Sequence, residues 1–134
     1  EQGFEDIVRL LLDAQANVNA KMNDGTTAVM LACQNGHLAI VQMLIETGKC
    51  DATIQRLDGV TSIFLVVQHG HEAILDFFMH NLPDIDAFLD LAREDGATPL
   101  FKACQKGYHS LVVKLLRAKP NLKILKNGES VRSP

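Results

Sequence analysis

The side chains that could do chemistry are concentrated between residues 69 and 95. A first group contains two kinds of metal-ligating residue, namely His69, His71, His80, Asp84 and Asp86. Such residues can bind a metal ion when they are brought together at suitable spacings. His69 and His71 instead flank an expected break between two helices. We therefore predict structural or surface roles for the whole group and no bound metal.

A second group consists of the carboxylates Asp90, Glu94 and Asp95. Paired carboxylates can act as general acid and base, but catalysis also needs a defined nucleophile or substrate-binding group nearby. The sequence contains no GxSxG, P-loop, GxGxxG or HExxH motif. We therefore predict a solvated hairpin here, no enzymatic activity and no cofactor.

The chain has three cysteines, Cys33, Cys50 and Cys104, far apart in sequence. An odd number without a CxxC pair argues against a disulfide framework and against a zinc site. We expect Cys33 and Cys104 to be small buried packing residues, and Cys50 to be more exposed in a loop. A redox role for Cys50 remains the alternative.

The composition narrows the class of protein further. The 134 residues include 13 basic and 16 acidic side chains, a net charge of −3 that argues against a nucleic-acid partner. Mean hydropathy is high for a small domain, at +0.06, but no apolar run approaches the ~18 residues of a membrane span. We expect one domain without membrane insertion. We see no signal peptide and favour the cytoplasm, with the nucleus as the alternative.

Turn-forming dipeptides recur along the whole chain. Asp24-Gly25, Asp58-Gly59, Asp95-Gly96 and Asn127-Gly128 are separated by 34, 37 and 32 residues. Asp-Gly and Asn-Gly favour the left-handed backbone of a tight turn, so each pair predicts the tip of a hairpin. A regular spacing of this length is typical of a repeat protein.

Each of the first three turns is followed by the same pattern of residues. A threonine in N-cap position (Thr27, Thr61 or Thr98) comes first, and Gly36, Gly70 or Gly107 follows some nine residues later. The pattern predicts a short first helix in each unit, over 28–34, 62–68 and 99–105. Apolar stripes then predict second helices over 38–46, 72–80 and 109–117. Such pairs are too short to bury their stripes alone, so they must stack.

These residues resemble the ankyrin repeat, whose pattern is roughly D-G-x-T-P-L-x-x-A-x-x-x-G-H-x-x-I-V-x-x-L-L. The segment from Asp95 to Leu116 matches it most closely, and Gly36-His37 match it in the preceding copy. The resemblance implies an all-α ankyrin-repeat solenoid of stacked helix-turn-helix units joined by hairpin-like loops. We predict a partial first repeat at 1–23, repeats at 24–57, 58–94 and 95–126, and the start of a truncated or divergent repeat at 127–134.

Departures from the family pattern give further expectations. Met30, Phe64 and Phe101 replace the usual histidine and should add buried apolar area. Gln15 and Asn81 stand where the equivalent of Gly48 is expected, and glutamine fits that backbone poorly. The region 80–94 carries extra residues and should form a lengthened connection. Because the chain starts at Glu1 rather than Met, we expect a fragment of a longer array. We expect this fragment either to be marginally stable or to self-associate.

The resemblance also implies a function, since ankyrin arrays generally bind other proteins through a concave groove. The family's surface positions correspond here to three sets of residues, one per repeat. They are Lys21, Asn23, Asp24, Thr26, Gln34 and Asn35; Arg56, Leu57, Val60, Gln68 and His69; and Arg93, Glu94, Ala97, Lys102, Gln105 and Lys106. Arg56, Leu57 and Val60 are the expected anchor for an unidentified protein partner. The alternative is a regulatory or structural array within a larger enzyme, channel or adaptor.

Overall fold

The computed structural model describes the backbone of residues 2–118 and the side chains from Glu5 onward. The predicted start of a further repeat at 127–134 lies outside these residues, as does the end of the repeat predicted at 95–126. The described part is all-helical and contains no strand. Its helices are α1 (Gln2–Asp13), α2 (Ala28–Asn35), α3 (Leu38–Glu46), α4 (Ser62–Gln68), α5 (Glu72–Asn81), α6 (Ile85–Asp90), α7 (Pro99–Lys106) and α8 (His109–Ala118).

The helices stack as a solenoid. Three helix pairs, α2 with α3, α4 with α5 and α7 with α8, pack within one unit each. Helix α4 lies between α2 and α7, and these three form the inner row. Helix α3 packs against both α1 and α5 in a second, outer row. This arrangement confirms the predicted all-α solenoid. The helices stack because each short helix can bury its apolar side only against the next copy.

Capping residues fix where the inner-row helices begin and end. The hydroxyl oxygens of Thr61 and Thr98 accept hydrogen bonds from the N–H groups of Phe64 and Phe101, each at 3.2 Å. Thr27 has the same extended N-cap backbone but makes no such bond, and its buried hydroxyl has no partner among the described residues. At the other end, Gly36 closes α2 with a φ of 75°, which a glycine adopts without strain.

Many of the apolar side chains that give the sequence its high mean hydropathy are buried between the repeats. Every residue from Ser62 to Val67 is buried, because α4 has neighbours on both sides. Met30 and Phe64 are fully buried and Phe101 partly buried, so the predicted gain in apolar burial is confirmed for the first two. No helix within residues 2–118 is long and apolar enough to cross a bilayer.

The lengthened connection predicted over 80–94 contains a short helix, α6. Phe88 and Leu89 of α6 are buried, and the Phe88 ring meets the Phe78 ring edge-on at a centroid distance of 6.1 Å. The extra residues therefore enlarge the core. Asn81 ends α5 in helical geometry, and the left-handed residue is Asp84, with a φ of 53°. Gln15 does adopt the unfavourable left-handed backbone, with a φ of 60°.

Candidate functional site

Three hairpin loops, at 22–26, 56–60 and 93–97, project from the starts of the inner-row helices. In each loop the N–H of the first residue donates to the C=O of the fifth, at 2.8 Å. The loops are also joined to one another. The N–H of Leu57 donates to the C=O of Asp24 at 2.9 Å, and that of Glu94 to the C=O of Asp58 at 2.7 Å. The loops thus form one hydrogen-bonded row.

Close packing between the loops depends on glycine. A Cβ on Gly59 would lie 2.7 Å from the C=O oxygen of Ala92, and the φ of Gly59 is 88°. Any larger residue would push two loops apart as well as strain the turn. The Asp-Gly spacing found in the sequence is therefore needed both for turning the chain and for stacking the loops.

The second and third loops each contain an arginine–aspartate pair. Arg56 donates to Asp58 at 3.0 and 2.7 Å, and Arg93 donates to Asp95 at the same two distances. The bond from Arg56 holds the pKa of Asp58 below its usual range. The Arg93 guanidinium also lies 5.3 Å from the centre of the Phe64 ring, a cation–π contact. Both guanidinium groups are thus already engaged within the protein.

Most of the predicted partner-binding residues lie at the surface. Lys21, Asn23, Asp24, Gln34, Asn35, Leu57, His69, Glu94, Gln105 and Lys106 are exposed, and Arg56, Gln68 and Arg93 are half-buried. Leu57 is 79% exposed at the tip of its loop, and Met22, in the neighbouring loop, is 60% exposed. We call the surface formed by the three loops and the exposed residues of α2, α4 and α7 the inner face.

Three residues predicted at the surface are buried where the loops return. Val60 is 2% exposed, and its equivalents Thr26 and Ala97 are buried as well. Each of these residues is held by two backbone bonds. Its C=O closes the loop, and its N–H donates to the aspartate of its own loop at 2.9–3.1 Å. This fixed return turns the side chain toward the core, so Val60 is not part of a surface anchor.

Lys102 is the fourth predicted surface residue that is buried, at 9% exposure. In its own repeat it occupies the position that Leu31 and Leu65 hold in theirs. Its apolar stem takes the place of a leucine side chain, while its Nζ reaches Gln105 and donates to Oε1 at 2.6 Å. The helical register alone could not have indicated this, since the equivalent Leu65 is buried but the equivalent Leu31 is 44% exposed.

Three glutamines occupy equivalent positions in the inner row. Gln34, Gln68 and Gln105 each lie near the C-terminal end of their helix, and we call them the glutamine row. The residues that follow them change from Asn35 to His69 to Lys106 along the stack. Burial lowers the pKa of His69, and His71 and Lys106 lower it further as neighbouring cationic groups.

His71 connects two repeats. The Nε2 of His71 donates to the C=O of Gln34 at 3.0 Å, in the preceding repeat. A Cβ on Gly36 would meet the His71 ring at 2.7 Å, so that glycine leaves room for it. No three His, Cys, Asp or Glu side chains within the described residues are arranged to hold a metal ion.

The burial of the cysteines differs from the prediction in one case. Cys33 is buried as expected, but Cys104 is exposed, because no described helix packs on that side of α7. Cys50 is half-buried, and burial, followed by the nearby Asp51, raises its pKa to about 11. Such a thiol is protonated at neutral pH, which argues against the redox role left open for it.

The N-terminal end of the stack carries a second surface, which is apolar. Val8, Ala28, Leu31, Ala32 and Ile40 contribute to the wall of an open cavity of about 350 Å³ between α1 and α2. The apolar residues Ile7, Leu10, Leu11 and Leu31 are exposed there or close by. We call this surface the end face.

Comparison with known proteins assigns the repeats to a family. A model of ankyrin repeats in three copies matches residues 1–56, and a single ankyrin-repeat model matches residues 95–125. The first matched range ends at the start of the second hairpin loop, and the second begins within the third loop. The chain belongs to the ankyrin-repeat family.

Several proteins of known sequence are similar to parts of this chain. Mouse ankyrin repeat domain-containing protein 63 is 35% identical over 106 residues, 78% of this chain and 27% of that protein. The mask-1 protein of Caenorhabditis elegans, an ankyrin repeat and KH domain-containing protein, is 31% identical over 115 residues, 86% of this chain and 4% of that protein. The rice protein XBOS33, a probable E3 ubiquitin-protein ligase, is 46% identical over 52 residues, 39% of this chain and 10% of that protein. The chain thus spans at most about a quarter of the length of each of these three proteins.

Proposed function

We propose that this chain is a non-enzymatic protein-interaction module that binds its partner through the inner face. The observation that carries the proposal is the hydrogen-bonded row of loops, which presents Leu57 and Met22 to solvent on a fixed backbone. A surface that is already ordered loses little conformational entropy when a partner binds. Ankyrin repeats are in general protein-interaction modules, which supports the same conclusion.

The exposed apolar part of the anchor on this face differs from the set of residues predicted from the sequence. Val60 is buried, and Arg56 is held by Asp58, so the apolar part of the anchor consists of Leu57 and of Met22 in the neighbouring loop. Exposed apolar patches rimmed by polar residues mark protein-interaction sites. Arg56 contributes by keeping the second loop in shape and by the exposed part of its guanidinium group.

The test has two stages. Proximity labelling with the full-length protein identifies partners, and binding assays then compare face variants. We expect Arg56→Ala combined with Leu57→Ala to weaken partner binding by about 2 kcal/mol. Leu116→Ala is the matched control, because Leu116 is an exposed leucine on α8, away from the inner face. A partner whose affinity is unchanged by substitutions anywhere on the inner face would overturn the proposal.

The second candidate is a regulatory or structural array that packs against another part of its own protein. The match to a probable E3 ubiquitin-protein ligase, over only 10% of its length, favours this candidate. In that setting the inner face would bind an intramolecular surface. Cross-linking mass spectrometry of the full-length protein separates the two, because intramolecular links to Lys21 or Lys106 would favour the second candidate.

We also propose that the 134-residue chain self-associates through its end face. Exposed Ile7, Leu10 and Leu11 form a larger apolar area than scattered surface leucines do. We expect a concentration-dependent molar mass in light scattering, which Leu10→Lys should abolish and the control Leu116→Lys should not. A monomer at millimolar concentration would rule this out.

We propose a reducing compartment, the cytoplasm or the nucleus, as the place of action. Cys33, Cys50 and Cys104 are all free thiols in the structure, which fits a reducing environment. Imaging of the tagged full-length protein distinguishes the two compartments, and a secreted protein would contradict both.

A further inference from the structure

We propose that the α7 end of the inner face binds a carboxylate side chain of the partner, carried by an extended acidic segment that runs along the glutamine row. This inference rests on the proposed function and specifies the chemistry of the partner. It combines three observations: a change in charge along the inner row, the engagement of the loop arginines, and the regular spacing of the glutamines.

The exposed ends of the inner-row helices become more basic along the stack. Gln34 and Asn35 at the end of α2 carry no charge, whereas α7 ends in Gln105 and Lys106. Lys106 is exposed, and none of the carboxylates among residues 5–118 forms an ion pair with it. The half-buried Lys114, on α8, differs in that it already pairs with Glu72 and Asp76. Lys106 is therefore available for a negatively charged ligand.

The engaged arginines indicate a carboxylate rather than a phosphate. Phosphate groups are recognised best by arginine, which can donate two parallel hydrogen bonds. Arg56 and Arg93 already donate in this way to Asp58 and Asp95. The exposed cation at this end is a lysine, which acts as a point charge and suits a single carboxylate.

The glutamine row matches the repeat distance of an extended peptide. Neighbouring packed helices lie about 8–10 Å apart, and an extended segment in the polyproline II conformation advances about 3.1 Å per residue with three residues per turn. Every third residue of such a segment therefore meets the next glutamine, whose amide can both donate to and accept from a peptide group. Gln105 is oriented by Lys102, which donates to its Oε1 and leaves its amide N–H groups for a ligand.

His69 provides a reporter for charge at this site. Its pKa is lowered by burial, and also by His71 and Lys106, which are the cationic neighbours acting on it. A carboxylate bound beside Lys106 offsets this repulsion and raises the pKa of His69. An uncharged amide in the same place does not.

The first experiment selects nine-residue peptides from a random display library on the complete 134-residue chain. We expect Asp or Glu to be enriched at one position, with weaker preferences three and six residues away. Lys106→Gln should remove the acidic preference and weaken the selected peptide about two- to fivefold at low salt. Lys49→Gln is the matched control, because it removes an exposed positive charge that lies outside the inner face. It should leave the preference intact.

The outcomes separate this inference from the proposed function. Peptides that bind the inner face without an acidic preference would overturn the inference alone. Peptides insensitive to any inner-face substitution would overturn the proposed function as well. A phosphoserine at the acidic position that binds more than tenfold tighter than the carboxylate would overturn the choice of carboxylate.

The second experiment follows the His69 ring by NMR as a function of pH. In the free protein, Lys106→Gln should raise the pKa of His69, since it removes a cationic neighbour. The selected acidic peptide should raise it in the wild-type chain, and the same peptide with Glu→Gln should not. Equal shifts with both peptides would show that no carboxylate lies beside His69. Lys106 also offsets the dipole of α7, a role that would change neither the peptide preference nor the ligand-dependent shift.

Discussion

Helices α2 and α4 occupy equivalent places in consecutive repeats, yet their surroundings differ. Helix α4 is covered by α2 on one side and by α7 on the other, and its Leu65 is 3% exposed. The equivalent Leu31 of α2 is 44% exposed, because no described helix covers that side. The same sequence pattern is therefore core in one repeat and surface in the next.

The comparison shows that a repeat owes its stability to its neighbours more than to its own sequence. Helix α4 is entirely apolar or small from Ser62 to Val67, and all of these residues are buried. Helix α2 buries four of its residues and leaves Leu31 in the wall of the end-face cavity. Stability in a solenoid depends on such interfaces between neighbours. We therefore expect the N-terminal end to unfold more easily than the centre.

The largest effect should come from truncating the two equivalent leucines. Leu65→Ala should lower the free energy of unfolding by about 3 kcal/mol, because it leaves a cavity in a closed core. Leu31→Ala should cost less than about 1 kcal/mol, since its side chain is partly solvated already. Urea denaturation followed by circular dichroism measures both. Equal losses would mean that the end face is covered in solution.

The second comparison concerns the helix caps. Thr61→Val removes a buried hydroxyl that accepts a hydrogen bond from Phe64, and should cost about 1–2 kcal/mol. Thr27→Val removes a buried hydroxyl without a partner among the described residues, and should be neutral or slightly stabilising. Thermal unfolding of the two variants tests this. A large loss for Thr27→Val would show that its hydroxyl is bonded after all.

The third comparison concerns the turns that follow α1 and α3. Gly48→Ala should cost about 1 kcal/mol, because its φ is 72° while a Cβ there would meet no other atom within 4 Å. Gln15→Gly should stabilise the chain by less than about 1 kcal/mol, since it relieves a φ of 60°. Chemical denaturation distinguishes gain from loss. The opposite sign in either variant would contradict the assignment of backbone strain.

The smallest effect is a dependence on pH in the hairpin loops. Arg56 lowers the pKa of Asp58 in the folded state. The Asp58 carboxylate therefore contributes its full stabilisation above its unfolded-state pKa of about 3.9. That contribution is lost as the pH falls through the lower, folded value. Asp58→Asn should therefore reduce the acid sensitivity of unfolding, by less than about 1 kcal/mol because the pair is partly exposed.

Asp24 provides the control for this prediction. The first loop has Met22 where the others have an arginine, and the pKa of Asp24 is lowered mainly by hydrogen bonds from Thr26. Asp24→Asn should change the acid sensitivity less than Asp58→Asn does. Unfolding measured between pH 2 and pH 6 compares the variants. The reverse order would show that the arginine pair is not the main source of the effect.

Much of the fold could be predicted because its signals are local. Turn dipeptides, N-cap threonines and C-terminal glycines each act within a few residues, so the bounds of six helices were predicted to within one residue at each end. Helix α6 was not predicted, because it is only six residues long and its N-cap residue makes no side-chain hydrogen bond. Its formation depends on Phe88 and Leu89 finding a buried place beside Phe78, which no local signal specifies.

The candidate site could be predicted only in part. The exposure of Leu57, Gln34 and Gln105 followed from their positions in the repeat, whereas the equivalent Gln68 is half-buried. The burial of Val60 and Lys102 did not, since it depends on how the loop returns and on what the adjoining helix covers. Cys33 and Cys104 show the same limit, because they are equivalent in sequence and opposite in exposure.

The sequence by itself determined the repeat, its turns, its helix bounds and the residues available to the inner face. These are set by backbone preferences and side-chain capping, which act over three or four residues. Only the tertiary structure decided which equivalent residues are core and which are surface, and that His71 bonds to the preceding repeat. The reason is that burial and pairing depend on neighbours about 35 residues away along the chain, and the same pattern meets a different neighbour at each place in the stack.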